Sequence, residues 1–460
     1  VTSRTKPIRA KQSSANRART PGVDVTQRAS VPQEPVVPNA RQLTPAVGQR
    51  ATRPDGRLHG LGQTQYIDDL YLPGMLYCKI KRAGIASARI VKIDTRQAEA
   101  MPGVMAVITG KDIPVNSFGP SIKDQPVLAS ERVFHAGDGV AAVAAVTEQI
   151  ALEALDRIKV EYETLPAVFD PFEAMENDAP LVHPPSSNIY ATKLIKKGDV
   201  ESGFRDAYRI FENTYSTQMV EHVPIEPHCS IASWDANGRL TIYSTLGRIT
   251  LGRADMARTL QMPINRIRMV ATIVGGNFGG KNEITQEPVL ALLSRKTGRP
   301  VKGTFTRTEE FIATTTRHPI AMHYKTGVSK EGKLLARKVR LVLDGGAYCS
   351  WSETTLGKAC ILSPGPYNID NVHAEAFVVY TNKTMTGAMR GFGAPQVCFA
   401  YESQMDEIAE ALNIDPLEIR LRNAFTEGSS SPTGQVLHSV VVRDSLIQAA
   451  QRFGWKETQS

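Results

Sequence analysis

Four glycines flank one phenylalanine in Gly275-Gly276-Asn277-Phe278-Gly279-Gly280-Lys281, and no other segment of the chain holds as much chemical information. Glycines let a backbone come close to a bulky ligand, because no side chain holds it off. An apolar, β-branched run from Arg266 to Val274 leads into the segment, and a helical pattern begins near Thr285. A strand, a tight loop and a helix start turn backbone N–H groups toward an anion. A nucleotide phosphate is one candidate, since Gly275 and Gly280-Lys281 satisfy G-x-x-x-x-G-K. Asn282, however, stands where that loop needs Ser or Thr for magnesium. Phe278 would also intrude among the amides that cradle phosphate. A glycine-rich turn with no ligand is the plainer alternative.

A second segment, Gly387-Ala388-Met389-Arg390-Gly391-Phe392-Gly393-Ala394-Pro395-Gln396, opens what reads as the penultimate helix. Arg390 offers a planar fork of donors suited to phosphate-like groups, and Phe392 offers an aromatic wall. Two glycine–phenylalanine loops more than a hundred residues apart, each leading into a helix, point to one ligand gripped from two sides.

The elements that must position these loops belong to a soluble globular chain. At 460 residues it has room for roughly two to four domains. Its 42% hydrophobic and 22% charged content is ordinary. It has no apolar run of roughly eighteen residues, so no membrane span is expected, and its start lacks the apolar core of a secretory signal. Five scattered cysteines (Cys78, Cys229, Cys349, Cys360, Cys398) without a C-x-x-C read as reduced core thiols of a cytoplasmic protein. They match no familiar iron–sulfur pattern. The net charge of +8 is unevenly placed: Arg4, Lys6, Arg9, Lys11, Arg17 and Arg19 occur before any acid. Residues 1–53 therefore read as a basic extended arm and linker, solvated or laid on an acidic partner subunit. Without interleaved aromatics it does not read as a nucleic-acid binder.

Residues 54–185 read as a compact α+β unit. Its strands are Val104–Ile108, Gly139–Val146 and Ile158–Glu163, and its helix face is Ile150, Ala151, Ala154, Leu155 and Ile158. After the break Pro184-Pro185-Ser186-Ser187-Asn188, residues 186–460 form a second unit. There a strand at Arg239–Thr245 and a helix at Ile249–Leu260 precede the first glycine loop. Val339, Leu341 and Leu343 alternate with Arg340 and Asp344 as a half-buried strand. Met405, Ile408, Ala409 and Leu412 mark a helix, and Asp415-Pro416-Leu417-Glu418 starts the next.

The two glycine segments, together with Ile225-Glu226-Pro227, Arg317-His318-Pro319 and Asp344-Gly345-Gly346-Ala347-Tyr348 in that order, resemble the molybdenum-binding subunit of the xanthine oxidase family of molybdenum hydroxylases. The likeness runs from Gly60 to Ser460. Its first part, with Ala88-Arg89-Ile90, Pro102-Gly103-Val104 and Gly137-Asp138, is similar to the family's hammerhead α/β domain. The remainder is similar to the first molybdopterin-binding domain, giving an α+β fold. One-piece members continue into a second such domain with a G-E-x-P glutamate, which this sequence does not contain. The layout is similar to the split type of the family. The resemblance thus implies a second molybdopterin subunit carrying the catalytic base, a subunit with 2Fe–2S clusters, a subunit with FAD, and a dimer of the whole complex.

The resemblance also implies roles. Gly276, Phe278, Gly279 and Gly280 would lie beside the cofactor, with the Gly279 amide near the pterin or a metal oxygen, and Arg390 would hold the dithiolene region. No side chain would ligate the metal directly. Phe392 would clamp a flat ring, though a core aromatic is the plainer role, as an ion pair is for Arg390. Asn282 stands where xanthine-type enzymes carry glutamate, and Lys358 where they carry arginine, which favours an anionic or carbonyl-bearing ring if Lys358 does not simply face solvent. Leu246 stands where the family has a glutamine beside the cofactor. The implied cofactor is molybdopterin cytosine dinucleotide with a sulfido, oxo or selenido molybdenum. The implied reaction places a water-derived hydroxyl on an aromatic or N-heterocyclic ring. Leu246 leaves open hydration or dehydrogenation of an unsaturated ketone, or ring reduction, on the same cofactor. A non-catalytic assembly subunit is the third alternative.

Overall fold

The computed structural model describes residues 48–455, so the basic segment 1–23 lies outside the described residues. Residues up to Thr64 and those from Gln65 onward form separate units. In the first, a short helix at Gly56–Gly60 follows Asp55, whose carboxylate accepts from Arg53 at 2.5 Å and is held at about 2 by that bond.

From Gln65 the first strands are β1 (Leu76–Arg82), β2 (Ala88–Asp94), β3 (Val104–Thr109), β4 (Arg132–Val133), β5 (Gly139–Ala145) and β6 (Lys159–Thr164). There follow β7 (Ile189–Lys197), β8 (Arg209–Thr217), β9 (Cys229–Trp234), β10 (Leu240–Ser244), β11 (Ile267–Ala271) and β12 (Val301–Thr304). The last are β13 (Ile320–Val328), β14 (Leu334–Gly346) and β15 (Asn371–Tyr380). They assemble as a seven-stranded sheet β11-β10-β9-β12-β1-β5-β3, a five-stranded sheet β7-β15-β14-β13-β8 and a small sheet β4-β2-β6.

The seven-stranded sheet draws strands from both the 54–185 segment and the residues after it. Parallel pairing of β1 with β12, Leu76 opposite Val301, joins the early strands to the later ones. Leu76, Cys78 and Ile80 share a core with Leu240, Ile242, Leu290 and Leu293. The physical reason lies in β5, whose small residues alternate between two cores. Ala142 and Ala144 face that shared core, while Ala141, Val143 and Ala145 face the helix Glu148–Arg157. A strand buried on both faces needs a cover on each, and one cover comes from the later segment.

In the five-stranded sheet only β14 and β15 pair in parallel. The helices Ser352–Leu362 and Ala394–Leu412 cover one face through Leu356, Ala359, Val397 and Ala400. The expected half-buried alternation holds at exposed Arg340 but fails at Asp344, which is buried. Its carboxylate accepts from Thr381 Oγ1 at 2.7 Å and Lys383 Nζ at 2.8 Å. Val168 and Val182 of the early segment pack over Val342 and close the second face there.

The helix behind the second glycine segment is not penultimate, because Pro416–Asn423 and Val442–Phe453 both follow it. Asp415 caps the first of these through Leu417 N and Glu418 N, while Glu418 pairs with Arg422 rather than closing a capping box. Val442–Phe453 went unread because it buries no residue. All five cysteines are free, but Cys398 is exposed and so is no core thiol.

The shared core predicts that residues 65–185 expressed alone give no cooperative unfolding transition. A sigmoidal denaturation curve from that fragment would show that β1 and β5 need no partner from the later strands.

Candidate functional site

Strands β10 and β11 run parallel, and their carboxyl ends release the turn at Leu246–Arg248 and the glycine loop side by side. Gly247 N–H donates to Lys281 O at 2.7 Å, and a Cβ on Gly247 would lie 2.0 Å from Asn277 Nδ2. Asn277 closes the loop on itself. Its Oδ1 accepts from Gly279 N at 2.9 Å and Lys281 N at 3.1 Å, and its carbonyl accepts from Gly280 N at 2.9 Å. The Gly279 amide is therefore engaged within its own loop. Among the described residues, the amides of Gly276, Asn277 and Phe278 donate to no protein acceptor.

Glu226 ties the two ends of the loop together. Its Oε2 accepts from Gly275 N at 2.7 Å and from Lys281 Nζ at 3.2 Å, and Lys281 Nζ also donates to Glu226 O at 2.7 Å. Lys281 is 0% exposed, and burial pushes its ammonium down while Glu226 opposes that shift. A lysine held in this way cannot reach a phosphate cradled by the loop, which removes the nucleotide alternative. Beneath the loop, the His222 ring packs on Gly280, and its Nε2–H donates to Ala388 O at 2.8 Å. Burial pushes His222 below its ordinary value. Burial also opposes the charge on Glu310, yet its hydrogen bonds from His228 hold it below the usual carboxylate range.

The two glycine segments touch. Arg390 N–H donates to Phe278 O at 2.8 Å, and a Cβ on Gly279 would sit 2.4 Å from Ala388 O. Both phenylalanines adopt left-handed backbone, Phe278 at φ 51° just before Gly279 and Phe392 at φ 49° between Gly391 and Gly393, all three glycines of positive φ. Such conformations are costly for a bulky residue and collect at functional sites. Arg317 braces the second loop by donating to Arg390 O at 3.1 Å and Gln396 Oε1 at 3.3 Å, and Gln396 donates on to His318 O. The Arg390 side chain is exposed and has no acid beside it among the described residues, so the ion-pair alternative is not realised.

Phe278 is 49% exposed at the crest of its loop. Phe392 is half-buried, with Lys358 Nζ 5.5 Å above its ring, a contact worth about 0.5–1 kcal/mol. Lys358 and Phe392 thus come together, while Asn282 lies at the far end of the first loop and lines a separate cavity. The Leu246 side chain is buried in the shared core against Gly252. An apolar side chain after a buried strand gains more from that core than from a polar cleft. Asn277, Gly247 and His222 were not read from the sequence. Their partners lie far along the chain, and only the Ile-Glu-Pro triplet marked Glu226.

Residues 182–424 match the model of the molybdopterin cofactor-binding domain, and residues 61–166 that of the aldehyde oxidase and xanthine dehydrogenase a/b hammerhead domain. The chain is 37% identical over 419 residues to the nicotinate dehydrogenase large molybdopterin subunit of Eubacterium barkeri, covering 90% of this chain and 98% of the relative. It is 33% identical over 419 residues to the xanthine dehydrogenase molybdenum-binding subunit of Escherichia coli, covering 87% of this chain but 55% of that one. The aldehyde oxidoreductase structure from Desulfovibrio gigas superposes with a TM-score of 0.84 at 32% identity, covering 87% of this chain and 46% of that one. The chain therefore spans nearly all of the first relative and about half of the other two.

Two substitutions test the loop geometry. Lys281→Ala leaves the Glu226 carboxylate without its cation and should cost about 3 kcal/mol, read from the denaturation midpoint. Gly279→Ala, at φ 114° against the Ala388 carbonyl, should cost about 1–3 kcal/mol. Unchanged midpoints for both would mean that the loops do not touch as described.

Proposed function

Because the chain belongs to the xanthine oxidase family of molybdenum hydroxylases, we propose that it is the large molybdenum-cofactor subunit of a multi-subunit oxidoreductase that hydroxylates an aromatic or N-heterocyclic ring with water-derived oxygen. The observation that carries this reading is the paired loop: three amides without acceptors (Gly276, Asn277, Phe278), an exposed guanidinium without an acid, and two phenylalanines in left-handed backbone.

These residues fit a flat, anionic molybdopterin. Arg390 would hold its dithiolene region through fixed donors, and the Gly276 and Phe278 amides would face its negative charge. Gly279 and Gly280 take no part as donors to it; their lack of side chains lets the two loops close. When bound, the cofactor supplies the redox centre that takes two electrons from the substrate carbon. The chain's own part is positioning. Phe392 offers a stacking face for the ring, and Lys358 above it puts a cation where an anionic or carbonyl-bearing ring would be steadied. Phe278 shields the space between the loops from water.

A second molybdopterin subunit would supply the glutamate base and cover the rest of the cofactor. Ile225 at 93% exposure, together with Val223 and Phe278, forms an apolar rim around Pro224 and Gly276 that such a subunit would bury. The near-complete match to a relative described as a large molybdopterin subunit supports the split arrangement. In the same reading, 2Fe–2S and FAD subunits carry the electrons onward, the pterin bears cytosine, and the assembly is cytoplasmic. No helix among the described residues is long and apolar enough to cross a membrane.

Arg390→Ala should lower molybdenum per chain at least tenfold, measured by elemental analysis of the purified complex, and full retention would refute its assigned role. Leu246 contributes no polar atom at its position, so product analysis in isotopically labelled water decides between hydroxylation and hydration or ring reduction.

A further inference from the structure

The five-stranded sheet β7-β15-β14-β13-β8 carries the two long helices on one face, and its other face is covered only toward the two strand ends. At one end lies the short helix Val200–Arg205, where a Cβ on Gly203 would stand 2.7 Å from Ala336 Cβ and Phe204 closes on Gly327. At the other end Val168 and Val182 pack over Val342. From Ala336 to Val342 is roughly 20 Å along β14. Between the two covers the sheet leaves an open trough that runs across the strands, with Arg340, Leu194 and Lys196 exposed on its floor. An α-helix with its side chains is roughly 10–12 Å wide.

The cross-strand register places a row of basic side chains along that floor. Lys196 of β7 is opposite His373 of β15, His373 is opposite Lys338 of β14, and Lys338 is opposite Lys325 of β13. Neighbouring strands lie about 4.8 Å apart, and like charges directly opposite one another destabilise a sheet. At the end of the row Lys325 meets Glu212 of β8 at 3.4 Å. Among the described residues no carboxylate lies within ion-pair distance of Lys196 or Lys338. The next row is balanced: Arg340 stands 3.9 Å from Glu375, and His323 stands 3.2 Å from Glu212. Burial and the charges of Lys196 and Lys338 push His373 below its ordinary value, with Glu375 and Glu201 opposing them.

We propose that this trough is a docking surface for an acidic α-helix of a partner protein, laid across the strands with its carboxylates along Lys196, His373, Lys338 and Lys325. Residues three or four apart on a helix are about 5–6 Å apart, close to the strand interval, so one acid meets each strand. A carboxylate against each lysine removes the repulsion within the row, so the sheet itself gains from the contact. Leu194 on β7 and Ile210 on β8 are exposed at the two edges of this face. A protein helix covers such apolar flanks, and a phosphate backbone gains nothing from them.

Carbodiimide joins an ammonium to a carboxylate in contact with it, and so reads the occupant directly. The full chain, with whatever subunits co-purify, is treated in the presence of a synthetic alanine-based helical peptide bearing glutamates on one face. Peptide mapping should find Lys196 and Lys338 linked to that peptide, or to carboxylates three or four residues apart in a co-purified subunit. Lys193 is the control, because it lies on β7 opposite Ala376 and so faces the helix side of the sheet. It should be linked about tenfold less. Lys196→Gln combined with Lys338→Gln should weaken binding of the linked partner roughly tenfold, and Lys193→Gln should leave it unchanged. Raising the salt concentration should weaken the wild-type contact. No links at Lys196 and Lys338, links as frequent at Lys193, or an oligonucleotide that blocks the links would overturn the inference. Should the double variant fail to fold, the cross-link map decides.

Discussion

The site depends on the close approach of two backbones. Gly279 lies so near the Ala388 carbonyl that any side chain there would collide with it, and Arg390 N–H reaches Phe278 O across the same seam. Everything at the site follows from that contact. It sets two left-handed phenylalanines and an exposed arginine around one space, and it turns three amides of the first loop away from protein acceptors. A glycine is required on one side of the seam, and a short small-residue segment, Gly387-Ala388, on the other.

Holding such a seam requires support below it, and the support is polar. Glu226 joins the entry of the loop at Gly275 to its exit at Lys281, and Asn277 closes the turn between them. His222 bridges from beneath Gly280 to Ala388, so one imidazole touches both loops. Arg317 and Gln396 fix the carbonyl of Arg390. These contacts cross-link the two loops, while His222 Nδ1 and Glu226 Oε1 keep no hydrogen-bond partner among the described residues. The free groups, Arg390 and the three amides, stand on a scaffold with little freedom to move, and preorganised donors of this kind do not have to reorient when a charged ligand arrives.

The wider fold serves the same end. Parallel β10 and β11 deliver two turns to one edge, the usual place for ligands in open sheets with parallel strands. The early segment supplies more than a neighbouring domain: β1, β3 and β5 extend the sheet that carries the loop, and Phe118 reaches the wall of the cavity behind it.

Local pattern gave much of this. The glycine–phenylalanine segments, the β-branched run before the first, the Asp415 cap and the alternation of β14 up to Arg340 are all written in neighbouring residues, and each maps onto the element it foretold. Family likeness, with its ordered motifs, added the cofactor. Tertiary structure decided the rest, because the deciding contacts are between residues with no local signal. Asp344 is buried and accepts from Thr381 and Lys383, Leu246 turns into a core, Lys281 pairs with Glu226 instead of a bound phosphate, and Glu283 and Trp351 line one cavity. A sequence records which side chains can satisfy one another; only the folded chain fixes which ones meet, and which are left with a polar atom unanswered.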